Sequence, residues 1–264
     1  TKGRMTMSKT YNRGKLLSEC INSVLKQSYT YKEIIVVDDN SQDDTFAYIQ
    51  KKYPMVNIFK NKTNRGASFS KNLGAIKSKG EFLLFLDSDT ELTKRDSIAN
   101  MVGFLNSYSI MGAIGGEIND DDSVFGLDGF YQHVTVNREQ PIKECEHITT
   151  ANCMIRKSVF LSLGGFDIHY IYPMEDKDLG YRLIKNGYHN FVSFDCGAKH
   201  KFSNTFRINR TYSFYRGKTR FIIKHSSKSL LFAPFSDIRE SIFVPIINFI
   251  KLKERNKGNH APAS

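Results

Sequence analysis

No C-x-x-C pair occurs among the four cysteines of this 264-residue chain, Cys20, Cys145, Cys153 and Cys196. Neither a zinc knuckle nor a disulfide framework is therefore indicated, and buried, reduced thiols in a cytoplasmic setting are expected. No stretch reaches the roughly 20 apolar residues that a membrane-crossing helix needs. The opening TKGRMTMSKTYNRG has no apolar core of signal-peptide length. Glycine-rich phosphate loops are also missing: there is no G-x-G-x-x-G and no G-x-x-x-x-G-K-[ST], so dinucleotide and P-loop readings have nothing to rest on. Acidic residues are scarce in one place only. Residues 199–264 carry 3 Asp+Glu against 14 Lys+Arg, whereas residues 1–198 carry 24 of each, so the net charge of +11 belongs to the C-terminal quarter. Such a tail can meet nucleic acid, a phosphate-bearing substrate or an anionic membrane, and charge alone does not choose among them.

The chain has ample means for a core, with 40% apolar residues and 12% aromatics. Leu16, Leu17, Cys20, Ile21, Val24 and Leu25 repeat at helical spacing, and KEIIVVDDN then reads as a short buried strand ending in acids. SQDDTFAYIQKKYP reads as a capped helix stopped by Pro54, MVNIF as a strand, NRGASFSKNLGAIKSKG as a loop and helix, and EFLLFL as the next buried strand. Continuously apolar strands alternating with helices predict an α/β fold with a mostly parallel, Rossmann-like sheet covered on both faces. After residue 117 the pattern loosens. NDDDSVFGLDGF reads as a polar loop, HITTANCMIR as a strand, KSVFLSLGG as a short helix with a glycine stop, and EDKDLGYRLIKNG as a helix.

In such sheets ligands bind beyond the carboxyl ends of the strands, where Asp38, Asp39, Asp87 and Asp89 all fall. Asp87 and Asp89, at i and i+2 after a strand, can share a divalent cation. Two other readings compete: helix-capping acids, and the phosphatase motif D-x-D-x-T/V, which needs Thr or Val where this chain has Glu91. A carboxylate such as Asp38 can accept the imide N–H of uracil or thymine, and Arg65 beside Gly66 can hold phosphate oxygens at a helix start. Glu175 and Asp176 open a helix, where the macrodipole favours acids in any case; a carboxylate there can also serve as a general base. His200 follows a predicted strand, at the head of the basic quarter, and can reach the carboxylate edge as an imidazole ligand.

Together, in order and spacing, these stretches resemble glycosyltransferase family 2 over roughly residues 8–225. The resemblance implies the GT-A fold and an inverting, metal-dependent transfer from a nucleotide-sugar donor, in the manner of rhamnosyltransferase-like bacterial members. It implies that Thr10, Asn12, Arg13, Asp38, Asp39 and Arg65 bind the nucleotide, and that Asp87 and Asp89 form a D-x-D pair, with Asp87 and Ser88 also on the donor and Asp87 reaching the metal indirectly or contacting the ribose. It makes Asp89 the direct ligand of Mn2+ or Mg2+, with Asp87 and His200 completing the metal site. It makes Asp176 the catalytic base beside Glu175, and GGFD, Gly164 to Asp167, the loop lining the donor sugar through Gly165. YSFYRGKTRFIIKH resembles the Tyr-x-x-Arg-Asn helix of such members, with Arg216 near the diphosphate and Gly217 in place of Asn. One departure stands out: RMTMSKTYNR is polar, with Lys9 where the family has proline.

The expected organisation is a catalytic domain over 1–205, with a nucleotide half (1–90) and an acceptor half (91–205), followed by a basic helical region over 206–264. In that region SIFVPIINFIKLKERNK joins an apolar run to Lys251, Lys253, Arg255 and Lys257. It cannot span a bilayer but suits an anionic membrane surface on the inner face of the cell membrane and a lipid-linked or glycan acceptor. GNHAPAS reads as a disordered end. Two other functions remain open. A nucleotidyltransferase would share the sheet and acids but needs a glycine-rich phosphate loop. A nucleic-acid binder using the basic quarter leaves the ordered acids unexplained, so no nucleic-acid partner is expected.

Overall fold

A computed structural model describes residues 9–120, 138–146, 148–170, 174–201 and 208–225. The chain divides into two compact units, one formed by Thr1–His169 with Glu175–Asn204 and the other by Tyr170–Met174 with Thr205–Ser264. In the first unit β1 (Lys9–Thr10), β2 (Ile35–Asp38) and β3 (Asn57–Lys60) pair in parallel, in the order β1-β2-β3. Helices α1 (Gly14–Leu25), α2 (Thr45–Lys52) and α3 (Ala67–Lys77) link them to β4 (Phe82–Leu86). The helix of SQDDTFAYIQKKYP thus ends two residues before Pro54. Its N-cap, Asp44, makes no side-chain cap hydrogen bond; the preceding Asp43 accepts from the Thr45 amide through Oδ1 at 3.1 Å.

The second sheet is mixed and runs β4-β8-β6-β9-β5, with β7 (Ile142–Cys145) also on β9. Its other members are β5 (Thr90–Leu92), β6 (Met111–Asp120), β8 (Asn152–Arg156) and β9 (His189–His200), accompanied by α4 (Ser97–Ser107), α5 (Lys157–Ser162) and α6 (Glu175–Lys185). β6 and β9 run parallel, while β4–β8, β6–β8, β5–β9 and β7–β9 are antiparallel. The polar loop expected over NDDDSVFGLDGF lies almost wholly outside the described residues, as does the chain beyond 225.

The run FLLFL shows why continuous apolarity was the right strand signal. Phe82, Leu84 and Leu86 enter one buried cluster with α1 and α4, and Leu83 and Phe85 enter a second with α5 and α6. Successive side chains point to opposite faces, and both faces are covered. In the second cluster Phe85, Phe160 and Phe166 form a ring triad with centroids 5.0–5.2 Å apart. β6 and β9 approach so closely at Gly116 that a Cβ there would stand 1.6 Å from the Cys196 carbonyl oxygen, so only glycine fits. All four cysteines are free and buried. Burial pushes the Cys145 and Cys196 thiols up to about 12, which suits packing groups and not nucleophiles.

The second unit contributes α7 (Ile208–His225), on which Arg220 and Lys224 lie over the Tyr170 ring at 5.4 and 5.7 Å. Arg216 is exposed on this helix and Gly217 is buried. No helix of the described residues is long and apolar enough to cross a membrane.

Candidate active site

The tail of β4 turns at once: the Thr90 amide donates to the Asp87 carbonyl at 3.0 Å, which folds Asp87-Ser88-Asp89 into a tight loop leading into β5. Thr90 is in register with His200, the last residue of β9, and the Lys201 amide donates to the Asp89 carbonyl at 2.8 Å. Two residues separated by more than a hundred positions are thereby side by side. Lys201 pins this strand end, pairing with Glu19 of α1 at 2.8 Å and Glu91 of β5 at 2.5 Å.

Asp87, Asp89 and His200 each present a ligand atom within 4.8 Å of the others. Two carboxylates and an imidazole at one strand edge are a donor set that fits a divalent cation such as Mn2+ or Mg2+. Asp89 is buried, and its Oδ1 lies 3.2 Å from His200 Nε2 while its Oδ2 pairs with the Arg13 guanidinium. Burial alone would raise its pKa, but the hydrogen bond and charge of His200 and the charge of Arg13 outweigh it and hold the carboxyl below the usual range.

Glu175 and Asp176 open α6. Glu175 is buried and Asp176 half-buried. Burial pushes both carboxyls up and Lys71 pulls them back down; Asp176 and Asp87 raise Glu175 further, and Asp87 raises Asp176. Asp176 Oδ1 accepts from the Lys177 amide at 2.8 Å. The link between the two acidic groups is Lys71 of α3, 2% exposed. Its Nζ lies 3.5 Å from Asp87 Oδ1, 3.4 Å from Glu175 Oε1 and 2.6 Å from Thr150 Oγ1. Burial works against its charge, but Asp87, Glu175 and Asp176 more than compensate and raise its pKa. Sequence reading missed Lys71, because nothing in SKNLG separates a buried cation from a solvated one on the same helix.

The β1–β2–β3 edge holds the other expected residues. Thr10 is buried beside Asp38, its register partner in the parallel pair. Asp38 Oδ1 accepts from the Ser41 amide at 3.0 Å and from the Ser41 hydroxyl, whereas its buried Oδ2 has no hydrogen-bond donor among the described residues and faces the Lys60 ammonium at 3.8 Å. Asn12, at φ 52°, accepts through Oδ1 from the Gln42 amide at 2.9 Å and donates its own amide to Ser41 Oγ at 3.0 Å, stitching two loops together. Asp39 is fully buried and organises the loop ahead of α3: its oxygens accept from Asn61 Nδ2 at 2.8 Å, the Arg65 amide at 2.8 Å and the Gly66 amide at 3.0 Å. Arg65 is exposed with its guanidinium 4.1 Å from the Phe69 ring centroid. Asp39→Ala strands these donors, and a loss of about 3 kcal/mol is expected, read as a lower urea midpoint.

The GGFD loop is fixed from two sides. Asn72 Nδ2 donates to the Phe166 carbonyl at 2.8 Å and Asn72 Oδ1 accepts from the Phe166 amide at 2.9 Å. Arg182 donates to the carbonyls of Leu163 and Gly165 at 2.8 and 2.7 Å while its Nε meets buried Asp178 at 2.8 Å. The i,i+4 spacing of Asp178 and Arg182 in EDKDLGYRL is a signal that sequence reading could have used. Gly165 sits at φ +70°, where an added Cβ would lie 2.7 Å from Asn72 Oδ1. Gly165→Ala is expected to cost about 1–3 kcal/mol in stability, measured by denaturant unfolding, because both the dihedral and the contact resist it.

Of the sequence-derived residues, the structure brings Arg13, Asp87, Asp89 and His200 into one group, with Glu175 joined to it through Lys71. Ser88 is buried inside the turn. Arg216 belongs to the other unit.

The family model described as "Glycosyl transferase family 2" matches residues 8–164. The chain is 35% identical over 132 residues to glycosyltransferase GlyG of Streptococcus pneumoniae, a match covering 47% of this chain and 41% of that protein. It is 26% identical over 190 residues to the Escherichia coli UDP-Glc:alpha-D-GlcNAc-diphosphoundecaprenol beta-1,3-glucosyltransferase WfgD, covering 71% of each. Thus the chain spans less than half the length of some curated relatives that it matches and about 71% of another. Among solved structures, a mannosyltransferase from Pyrobaculum calidifontis in complex with GDP-Man and Mn2+ superposes with a TM-score of 0.69 at 18% identity, over 91% of this chain and 67% of that one. Residues 1–349 of S. aureus TarS superpose with a TM-score of 0.62 at 18% identity, over 84% of this chain and 65% of that one. An α/β body with a parallel three-stranded sheet, an acid pair at the end of β4 and a family match over more than half of its residues place this chain in glycosyl transferase family 2, with the GT-A fold.

Proposed function

We propose that this chain is an inverting, divalent-metal-dependent glycosyltransferase that moves a sugar from a nucleoside-diphosphate donor, UDP- or dTDP-linked, to a hydroxyl of a glycan or lipid-linked acceptor in surface-polysaccharide synthesis. The observation that carries this reading is the convergence of Asp87, Asp89 and His200 at one strand edge, with the Glu175–Asp176 pair joined to it through Lys71. The names of the relatives support the substrate class: the E. coli protein is named for UDP-Glc and a diphosphoundecaprenol acceptor.

In this reading Asp38 accepts the imide N–H of a uracil or thymine ring, a role supported by its Oδ2 lacking a hydrogen-bond donor among the described residues. Thr10, Asn12, Asp39 and Arg65 shape the same nucleotide edge, and Arg13 adds positive charge for the diphosphate. Asp89, Asp87 and His200 would hold Mn2+ or Mg2+, which when bound neutralises charge developing on the departing diphosphate. Asp176 takes the proton from the acceptor hydroxyl on the face of the sugar opposite the leaving group, and a single displacement inverts the anomeric centre. Glu175 borders the acceptor pocket, and the Gly165 loop lines the donor sugar. Residues 1–90 then form the nucleotide half and 91–205 the acceptor half.

Donor choice is tested by thermal unfolding with UDP-, dTDP- and GDP-sugars in the presence of Mn2+. A UDP- or dTDP-sugar at about a hundred times its Kd is expected to stabilise the fold by about 2.7 kcal/mol; stabilisation by GDP-sugars alone removes the pyrimidine assignment. The basic apolar segment, outside the described residues, is assigned to the inner face of the cell membrane on its sequence alone. Deleting residues 240–264 is expected to abolish sedimentation with anionic liposomes, and unchanged sedimentation ends that part of the reading.

A further inference from the structure

We propose that Lys71 is a positioning residue whose ammonium group holds Asp87, on the metal and diphosphate side, and Glu175, beside the base, in one fixed arrangement. The inference rests on the glycosyl-transfer reading for its role in turnover, but its structural content stands on contacts within the protein. Lys71 is the fourth residue after the Ala67 start of α3, and its side chain runs inward to a point where three elements meet: the β4–β5 turn, the loop before β8 and the first turn of α6. One ammonium has three donors, and the three acceptor atoms around it are Thr150 Oγ1 at 2.6 Å, Glu175 Oε1 at 3.4 Å and Asp87 Oδ1 at 3.5 Å.

The arrangement has a definite electrostatic logic. Asp87, Glu175 and Asp176 place three carboxyls around a site where at least two are buried or half-buried. Without a fixed cation among them, such acids repel each other and withdraw protons from solvent. A flexible solvent cation could neutralise the charge but would not fix the distance between the two groups. A lysine held at 2% exposure does both. Thr150 sets the third direction of the ammonium, and the next residue, Asn72, ties the same turn of α3 to the Phe166 backbone through two hydrogen bonds. The turn of α3 that bears Lys71 is therefore braced against the loop preceding α6.

Lys71 also opposes a second cation at Asp87, since both would draw on the same carboxylate. Removing its charge should therefore tighten metal binding while turnover falls, an opposition that a merely structural role would not produce. The experiment uses Lys71→Met, which keeps length and loses charge. Because that change strands the buried Glu175 carboxylate, it is accompanied by Lys71→Met/Glu175→Gln, which removes both charges together. Mn2+ binding is titrated calorimetrically at pH 7 without donor, and kcat and KM are measured with the nucleotide sugar that stabilises the wild type. The expected result, in whichever of the two variants folds, is Mn2+ binding at least threefold tighter than wild type, together with a kcat at least tenfold lower. A kcat within twofold of wild type, or a Mn2+ affinity that falls in step with kcat, overturns the proposal. Failure of the underlying reading is separately visible: the wild type would then transfer from no nucleotide sugar, whereas the Mn2+ titrations would still report on Lys71.

Discussion

Asp89→Asn is expected to lower Mn2+-dependent transfer by about a thousandfold, the effect of losing several kcal/mol of metal-mediated charge stabilisation in the transition state. The size follows from where Asp89 sits. It contacts both His200 and Arg13, so amidation removes a ligand oxygen and the anion around which these two side chains are arranged. The check is kcat at saturating Mn2+ together with Mn2+ titration; wild-type turnover in the variant would overturn the metal assignment. The same substitution has a pH signature in chelator-containing buffer. The Asp89 carboxyl is held below its usual range by His200 and Arg13 against the opposing effect of burial. A carboxyl with a depressed pKa contributes stability that is present above its unfolded value and lost as pH falls through the folded one. Wild type should thus exceed Asp89→Asn in Tm at neutral pH, and the gap should close as the pH drops below about 4.

Local signals were sufficient wherever one segment decided its own fate. The buried run of β4, the Leu-rich face of α1 and the acidic opening of α6 each read correctly because their periodicity and length answer to a single environment. What the sequence could not display was pairing between distant strands. β6 carries Gly115 and Gly116 and bulges on β9, and β9 itself mixes polar and apolar residues, so neither strand shows clean alternation. It is the antiparallel pairing of β9 with β5 that sets His200 against Thr90, next to the Asp87-Ser88-Asp89 turn. The expected sheet was read from its parallel half, and the antiparallel half is the part that positions the histidine and, through β8, the loop bearing Thr150.

The candidate site divides in the same way. The acids announced themselves by their places at strand and helix ends, whereas the groups that hold them did not. Lys71, Asn61 and Asn72 look like ordinary surface residues of a loop and an amphipathic helix. Asn61 even completes an N-K-T glycosylation pattern, yet it is buried and donates to Asp39 and Ser70 at 2.8 and 2.9 Å. Burial of a polar side chain is a tertiary property, fixed by what packs over it, and no window of neighbouring residues contains that information.

Asp176→Asn is the sharpest test of the chemistry, because activity and stability should move in opposite directions. Transfer is expected to fall by about 10²–10⁴-fold, the usual worth of a general base, while donor and Mn2+ binding persist. Burial raises the Asp176 carboxyl above the ordinary range, with Lys71 opposing the rise and Asp87 adding to it. A carboxyl with a raised folded pKa favours the fold when protonated, and that contribution is lost as pH climbs from the unfolded value through the folded one. At neutral pH the ionised Asp176 is therefore a strained group, and replacing it with a neutral amide should raise Tm, as at other sites where function opposes stability. The wild-type kcat/KM should also rise with pH along an acid limb placed above the usual carboxylate range near 4. Full transfer in Asp176→Asn, or an acid limb that survives unchanged in its residual activity, would assign the base elsewhere. A fall in Tm with transfer lost would instead mark the residue as part of the scaffold of α6, since only an ionised acid held against its own burial gains from being neutralised.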